Sequence, residues 1–150
     1  MDLYQFSEGY LRTSGYEFSI DLKNIDDQFV HLTNNAVQIK SESYGQFEDG
    51  NQLSFKQLQD FIDQEYPKSK ISVANHLVPQ MQEIVVKTFH AVKRQIDPFK
   101  RKHCFELFGF DFILDEDFNV WLIEVNTNPC LEESSNLLKI LLPRMIEDLL

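Results

Sequence analysis

The sequence predicts an α+β fold, in which an antiparallel sheet is flanked by helices. Two apolar runs rich in aromatic and β-branched residues, 105–114 and 120–125, lie on either side of a short polar stretch, which is typical of a β-hairpin. Elsewhere, apolar residues recur at helical spacing. The chain has 150 residues, 43% of them hydrophobic and thirteen of them Phe, which is enough to bury the core of one domain.

Composition and charge disfavour several classes of function. The net charge of −10 disfavours nucleic acid and anionic membranes as direct partners. No apolar run approaches the length that spans a bilayer. The chain has only two cysteines and no N-x-S/T sequon, which favours a reducing, cytoplasmic setting with free thiols. Cys104 and Cys130 flank the hairpin, so a disulfide between them is the alternative.

The N-terminal third of the chain predicts a strand and a polar turn. Residues 3–13 alternate loosely around Gly9, which predicts a strand interrupted by a bulge or turn. Residues 31–35 contain the polar turn, in which Asn35 is expected to cap a helix or to take a left-handed conformation. We expect His31 to be packed and hydrogen-bonded rather than to act as a base. Residues 40–52 are polar with two glycines and predict a surface loop.

Three helices are predicted in the rest of the chain. Ser54 and Gln57 form a capping box that begins the first helix, and Pro79 suits the first turn of a longer one. The last helix is amphipathic and contains Pro143 as a kink or as a new first turn. The apolar residues at helical spacing are Phe55, Leu58, Phe61 and Ile62 in the first helix and, as expected core residues, Met81, Ile84, Val85, Phe89, Val92 and Ile96 in the second.

A basic run, Lys-Arg-Lys-His at residues 100–103, follows the longer helix. We interpret it as a solvated loop. The alternative interpretation is a contact for an acidic peptide.

The hairpin predicted at residues 105–125 places two acidic side chains against each other. If Asp115 pairs with Val120, the same register sets Asp111 opposite Glu124, and all side chains at these paired positions share a face. Directly opposed residues have Cβ atoms about 4.5–5.5 Å apart, and like charges at that distance repel. A cation must therefore lie between the two carboxylates, or one of them must take up a proton.

The same register sets Gly109 opposite Asn126 on the acidic face, where the glycine is expected to leave open space beside the carboxylates. Asp, Glu and Asn supply hard oxygen ligands, which suit Mg²⁺ or Mn²⁺ rather than zinc. Between residues 106 and 133 there are eight Asp or Glu and no Lys or Arg, so the counter-charge is not local. Three apolar residues are expected to share this face and to weaken solvent screening: Leu107, Ile113 and Leu122. The alternative is a hairpin whose acids point into water.

The motifs FELFGFDF and VWLIEVNTNPCLE resemble the C-terminal motif of the tubulin–tyrosine ligase-like family, which has an ATP-grasp fold. Upstream, EGYLRTSGYEF, DDQFVHLTNNAVQ and SYGQFEDGNQLSF resemble the same family in its order and spacing. The resemblance covers about residues 4–142. It implies that residues 1–150 form the C-terminal part of the ligase domain, and that the upstream part with the nucleotide-clamping lysine and adenine pocket is missing.

The resemblance also implies a reaction and a role for each candidate residue. Ligases of this family use ATP to activate a carboxylate as an acylphosphate, which an amine then attacks. Asp111, Glu124 and Asn126 would hold Mg²⁺, or alternatively Mn²⁺, that bridges the ATP phosphates. Thr33 and Asn34 would approach the phosphates or ribose, and both are expected near the acidic face of the hairpin. Arg12 would position a carboxylate-bearing substrate, because a guanidinium can hold a carboxylate through two hydrogen bonds.

The partners implied by the family are the C-terminal tails of tubulin or microtubules and a free amino acid, which is tyrosine, glutamate or glycine. The implied location is the cytoplasm, with the cytoskeleton or cilium as more specific sites. Tubulin tails are strongly acidic, so the net charge of −10 places their basic binding surface outside this chain or concentrates the acidity around the metal site. The alternative function is a catalytically incomplete fragment or pseudoenzyme that acts as a binding module.

Overall fold

A computed structural model describes residues 2–150, and it confirms the α+β class. The strands and α-helices in chain order are β1 (Tyr10–Arg12), α1 (Gln28–His31), α2 (Asn35–Gln38), β2 (Gln52–Ser54), α3 (Phe55–Glu65), α4 (Val78–Ile96), β3 (Gly109–Leu114), β4 (Val120–Asn126) and α5 (Asn136–Leu149). A 3-10 helix at Asp49–Asn51 and a π-helix at Val73–Leu77 precede β2 and α4, respectively. β1 pairs with β2, and β3 pairs with β4, both in antiparallel fashion. Within residues 2–150, no helix is both long enough and apolar enough to cross a membrane.

The chain divides into two compact units. The hairpin unit contains residues 2–5 and Tyr66–Cys130, and the helical unit contains Phe6–Glu65 and Leu131–Leu150. The predicted site residues are distributed over both units. Asp111, Glu124 and Asn126 belong to the hairpin unit, whereas Arg12 and the turn with Thr33 and Asn34 belong to the helical unit.

In the hairpin unit, one face of the β3–β4 hairpin packs on α4 through aromatic rings. Phe89 of α4 is buried and lies 5.2 Å from the ring of Phe108 and 5.8 Å from that of Phe110. Phe112 extends the cluster by stacking on Phe110 at 6.0 Å. Of the six apolar α4 residues expected in the core, only Phe89 is fully buried, and Ile96 is 40% exposed. Aromatic packing therefore anchors the hairpin from the face opposite to the acids.

A β-bulge sets the register of the hairpin. The predicted pairing of Asp115 with Val120 is wrong, because Val120 pairs with Leu114. The register shifts between Phe112–Leu122 and Asp111–Glu124, where Ile123 is the extra residue of the bulge. Beyond the bulge, the observed pairs are the predicted ones: Asp111 with Glu124, and Gly109 with Asn126.

Because of the bulge, the apolar residues that share a face with Asp111 and Glu124 differ from those predicted. Directly opposed residues share a face, so Leu122, opposite Phe112, lies on the aromatic face rather than on the acidic face. Trp121 takes its place, since it lies opposite Ile113 on the acidic side. Both of these side chains are more than half exposed, at 59% for Trp121 and 56% for Ile113.

In the helical unit, α3 begins with the predicted capping box. The backbone N–H of Ser54 donates to Gln57 Oε1 at 2.9 Å, and the N–H of Gln57 donates to Ser54 Oγ at 3.2 Å. Leu58 and Ile62 are buried as expected, but Phe61 is 52% exposed. The strand predicted over residues 3–13 is shorter in the structure, where only β1 is formed.

At Gly9 the Phe55 ring comes so close that a Cβ on residue 9 would lie 2.8 Å from the Cζ atom of Phe55.

α5 completes the helical unit and buries Leu138 and Leu141. Ser135 is its N-cap and accepts a hydrogen bond from the N–H of Leu138 at 3.2 Å. Pro143 lies inside the helix, which continues through it, so Pro143 does not begin a new helix. Arg144 forms an ion pair with Glu8 of the same unit.

The loop expected on the surface at residues 40–52 instead contributes buried polar side chains. We call Gln38, Asn51, Gln52 and Ser135 the polar core, because each is at most 4% exposed. Asn51 Nδ2 donates to Gln38 Oε1 at 3.3 Å, and Ser135 Oγ donates to Gln52 Oε1 at 2.5 Å. Buried polar groups are costly unless they are hydrogen-bonded, and every one of these side chains has partners. The prediction of a loop is therefore confirmed, but only part of the loop lies at the surface: residues 42, 45–47 and 49 are exposed, whereas Asn51 and Gln52 are buried.

Candidate functional site

The acidic trio, Asp111, Glu124 and Asn126, lies together at one end of the hairpin. Asp111 and Glu124 are directly opposed, and Asn126 follows two residues later on the same face. Asn126 Nδ2 donates to Glu124 Oε1 at 3.2 Å and to Asp111 Oδ2 at 3.5 Å. The amide group thus places the positive end of a dipole between two carboxylates, where the sequence predicted either a cation or a proton.

The chemistry of the trio suits Mg²⁺ or Mn²⁺. A half-turn of the Asn126 amide would replace its NH₂ group by the carbonyl oxygen, and an amide can take either orientation in a hydrogen-bond network. Two carboxylates and one amide oxygen are hard ligands, and Mg²⁺ usually takes one or two carboxylates together with phosphate oxygens and water. Residues 2–150 contain no group of three or more His, Cys, Asp or Glu side chains placed to hold a metal.

The sequence suggested that Gly109 leaves open space beside the carboxylates, but the structure shows that this space is filled. A Cβ at this position would lie 3.0 Å from Pro129 Cβ and 3.8 Å from Asn126 Cβ. The absence of a side chain instead lets Pro129 lie directly over β3. The segment after β4 therefore folds back on the end of the hairpin that carries Asn126.

The turn of the hairpin is held by Asp115. Its Oδ1 accepts hydrogen bonds from the N–H groups of Asp117 at 3.0 Å and Asn119 at 2.8 Å. Its Oδ2 accepts from Trp121 Nε1 at 2.9 Å and from Asn119 Nδ2 at 3.0 Å. Phe118 takes a φ of 61°, an unfavourable value for an aromatic residue, and its ring packs edge-on against Tyr66 at 5.3 Å.

Gln80 connects α4 to the same turn. Its Nε2 donates to the carbonyl of Phe118 at 3.2 Å, and its Oε1 accepts from the N–H of Val120 at 3.1 Å. The helix therefore contacts the hairpin at the turn through Gln80 and along the strands through Phe89. These contacts hold the hairpin against α4, while the pairing of β3 with β4 keeps Asp111 and Glu124 opposed.

We predict that the stability of the turn held by Asp115 depends on pH. The hydrogen bond from Trp121, followed by those from the side chain and backbone of Asn119, lowers the pKa of Asp115 from 3.8 to about 2. Because the folded pKa is below the unfolded one, the ionised carboxylate stabilises the fold above pH 3.8, and this contribution is lost as the pH falls towards 2. Trp121 is the single tryptophan, so its fluorescence should change over this window.

The matched variant for this titration is Asp115→Asn, which keeps the shape but cannot ionise. We expect its Trp121 fluorescence to be less dependent on pH between 3.8 and 2 than that of the wild type. Superimposable titration curves of the two proteins would show that Asp115 does not control the turn.

The remaining candidate residues lie in the helical unit. Arg12 is half-buried and pairs with Gln52 in the β1–β2 ladder. Thr33 is half-buried, and Asn34 is exposed. Asn34, rather than Asn35, caps α2, because its Oδ1 accepts from the N–H of Ala36 at 2.9 Å. The proximity of Thr33 and Asn34 to the acidic trio stays a prediction.

The polar core supports both segments of the helical unit that carry candidate residues. Gln38 Nε2 donates to the carbonyls of Phe29 at 3.0 Å and Leu32 at 2.6 Å, next to Thr33. Asn51 Nδ2 also donates to the carbonyl of Thr13, next to Arg12, at 3.3 Å. Asn51 and Gln38 thus connect the two segments through successive hydrogen bonds. No local signal in the sequence pointed to this role, and we interpreted the polar stretch that contains Asn51 as a surface loop.

His31 agrees with its predicted role. Its Nε2 is hydrogen-bonded to the carbonyl of Asn24 at 2.9 Å, and its ring meets that of Phe18 edge-on at 5.7 Å. These contacts are those of a packed histidine that stabilises the start of the helical unit. Cys104 and Cys130 are both free thiols and both exposed, as the composition favoured.

Comparison with known proteins identifies similar sequences. Residues 1–150 match the model of the tubulin-tyrosine ligase family. The chain is 34% identical to Tubulin glycylase 3D of Tetrahymena thermophila over 149 residues, which cover 97% of this chain and 14% of the relative. It is 34% identical to the Probable tubulin polyglutamylase TTLL9 of Mus musculus over 130 residues, which cover 87% of this chain and 26% of the relative.

A third relative is the Tubulin monoglutamylase TTLL4 of Homo sapiens. The identity is 31% over 159 residues, covering 99% of this chain and 13% of the relative. The chain therefore spans about a quarter or less of the length of these three relatives.

Proposed function

Because this chain belongs to the tubulin-tyrosine ligase family, we propose that it forms the C-terminal part of an ATP-grasp ligase domain that joins an amino acid to tubulin. The single observation that carries this proposal is the acidic trio. The two carboxylates are directly opposed and lie within hydrogen-bond reach of the Asn126 amide, and such hard oxygen ligands are those that a divalent cation prefers, which supports the proposal. A nucleotide-dependent ligase needs such a site to bind the phosphates of its ATP.

In this proposal, Asp111 and Glu124 would hold Mg²⁺ through their carboxylates, and Asn126 would supply its amide oxygen as a further ligand. Bound Mg²⁺ would supply charge neutralisation and a fixed orientation for the phosphates. The hairpin contributes by keeping the three side chains in place, so that little reorganisation accompanies the reaction. Mn²⁺ has similar ligand preferences and is the second candidate.

The helical unit would bind the organic groups of the reactants. Arg12 can hold a carboxylate through two charge-assisted hydrogen bonds. The Thr33 hydroxyl can donate to a phosphate or ribose oxygen. Asn34 uses its carbonyl oxygen as the cap of α2, so its Nδ2 is the group available to a nucleotide. Arg12 would thus act on the amino acid or its acceptor, and Thr33 and Asn34 on the ATP.

The names of the relatives narrow the choice of amino acid. They describe a glycylase, a polyglutamylase and a monoglutamylase, so glycine and glutamate are the first candidates and tyrosine is the third. The acceptor would be a carboxylate of the tubulin tail. The reaction would take place in the cytoplasm, on microtubules of the cytoskeleton or the cilium.

The direct test is a ligation assay with the protein at its full natural length. Tubulin is incubated with the protein, ATP, Mg²⁺ and either glycine or glutamate, and its mass is measured intact. We expect increments that match one of these amino acids and that disappear when ATP is omitted. Binding to tubulin without any increment in mass, for glycine, glutamate or tyrosine, would replace ligation by the function of a binding module.

A further inference from the structure

We infer that the basic turn, residues 97–103, is a docking site for an acidic, glutamate-rich peptide such as a tubulin C-terminal tail. The inference rests on the proposed function, since it concerns the substrate of the same ligase. Residues 93–102 contain five of the fourteen Lys and Arg of the chain and only one acidic residue, Asp97. This stretch is the main concentration of positive charge in a protein whose net charge is −10.

The backbone of the turn presents its basic side chains to solvent. Asp97 ends α4, and its Oδ1 accepts a hydrogen bond from the N–H of Arg101 at 3.0 Å. Lys100 and His103 have φ values of 49° and 58°, which few non-glycine residues adopt. Residues 100–103 are all exposed. The turn therefore has four consecutive basic or ionisable side chains at the surface.

Within residues 2–150, no ion pair neutralises the side-chain charges of Lys100, Arg101 and Lys102. Among the ion pairs of residues 2–150, Lys87 contacts Glu83 and Arg144 contacts Glu8, but Lys100, Arg101 and Lys102 contact no carboxylate. The dipole of α4 accounts for cations in its last turn, namely Lys93 and Arg94, but it does not extend to these three residues.

An aromatic side chain accompanies the charges. Phe99 is 77% exposed, and the guanidinium of Arg101 lies 5.9 Å from the centre of its ring. This contact limits the freedom of Arg101 and presents a flat, charged surface, which lowers the entropic cost of binding a carboxylate. Exposed aromatic and Arg side chains are also enriched at protein interfaces.

An acidic peptide fits the surroundings better than nucleic acid. The next stretch, residues 106–133, contains eight acidic residues and no Lys or Arg, so it would repel a long polyanion that extended beyond the turn. A short, flexible peptide can place a few glutamates on the turn and bring only its reacting residue to the acidic surface. The interaction acts over about 10 Å at moderate salt concentration, which confines it to the turn.

The turn also lies close to the proposed reaction site along the chain. His103 and Gly109 are about six residues apart, a span of about 20 Å at most. Gly109 pairs with Asn126 of the acidic trio, in the same unit. A peptide residue bound at the turn is therefore about 20 Å or less from Gly109, so a glutamate further along the same peptide can reach the trio.

The test measures the binding of a fluorescein-labelled, glutamate-rich tail peptide to the full-length protein by fluorescence anisotropy. One variant carries K100Q, R101Q and K102Q. The matched control carries K56Q, K68Q and K70Q, which removes the same charge from three exposed lysines elsewhere. We expect the first variant to bind about tenfold more weakly than the wild type, the sum of three exposed charge pairs, and the control to bind within about twofold.

Three results would overturn the inference: equal weakening in both variants, no weakening in either, or stronger competition by a single-stranded RNA than by unlabelled peptide. The first would reduce the effect to net charge, and the third would indicate nucleic acid as the ligand. A peptide with every glutamate replaced by glutamine should not bind. Stabilisation of each variant by Mg²⁺ and ATP is measured in parallel, so that a failed metal site and a failed docking site are separate results.

Discussion

Replacing Asp111 with Asn should lower kcat/KM for ligation by at least about 100-fold, which corresponds to about 2.7 kcal/mol of transition-state stabilisation. The variant keeps the volume of the side chain and removes one of the two charges that would hold the metal. The loss should appear in the mass-increment assay with tubulin as a slower reaction at every Mg²⁺ concentration.

The thermal stability of Asp111→Asn distinguishes the loss of a metal ligand from misfolding of the protein. Asp111 faces Glu124 directly, and like charges at opposed positions destabilise a hairpin. Without metal, Asp111→Asn should therefore unfold at the same temperature as the wild type or at a higher one. The matched control is Glu116→Gln, which removes a charge from the turn of the same hairpin and should retain activity within about twofold. A fully active Asp111→Asn protein would contradict the proposed role of the trio.

The second large effect is expected on stability, at the centre of the polar core. Asn51→Ala should lower the free energy of unfolding by about 3 kcal/mol, because it leaves buried partners unsatisfied at about 1–3 kcal/mol in total and adds backbone strain. Asn51 is 2% exposed and has a φ of 53°. Its side chain donates to Gln38 and Thr13 and accepts from the N–H of Gly45 at 2.7 Å. Urea denaturation measures the change.

Asn51→Gly separates the two contributions. Glycine also loses the side-chain hydrogen bonds, but it adopts a positive φ without strain, so it should be about 1 kcal/mol more stable than Asn51→Ala. If the free energies of unfolding of both variants lie within about 0.5 kcal/mol of the wild-type value, the hydrogen bonds of Asn51 do not stabilise the helical unit.

The register at the acidic trio could be predicted from sequence, although through an incorrect turn. The prediction assumed a four-residue loop between Asp115 and Val120. The structure instead pairs Leu114 with Val120 and regains the predicted register through a bulge at Ile123. A bulge depends on packing on both faces of the strands, and the alternation of apolar residues does not report it. For the same reason, Leu122 lies on the aromatic face and not on the acidic face where it was predicted.

The capping box of α3 was predictable because its two members are three residues apart and act locally. The polar core was not, since Gln52 and Ser135 meet across 83 residues of chain. Nothing local distinguishes a Gln, Asn or Ser that is buried with its partners from one in a solvated loop. Gly109 was misinterpreted similarly, because Pro129 approaches it only after the chain folds back from β4.

The most direct measurement of the central claim is a thermal-shift titration of the full-length protein with Mg²⁺ in the presence of ATP. It compares the wild type with Glu124→Gln and with the control Glu116→Gln. A ligand that binds the folded state raises the melting temperature by mass action. We predict that the wild type and Glu116→Gln rise together with Mg²⁺, whereas Glu124→Gln shows a much smaller rise at the same concentrations. An equal rise in all three proteins would show that Glu124 is not a metal ligand and would contradict the proposed mechanism.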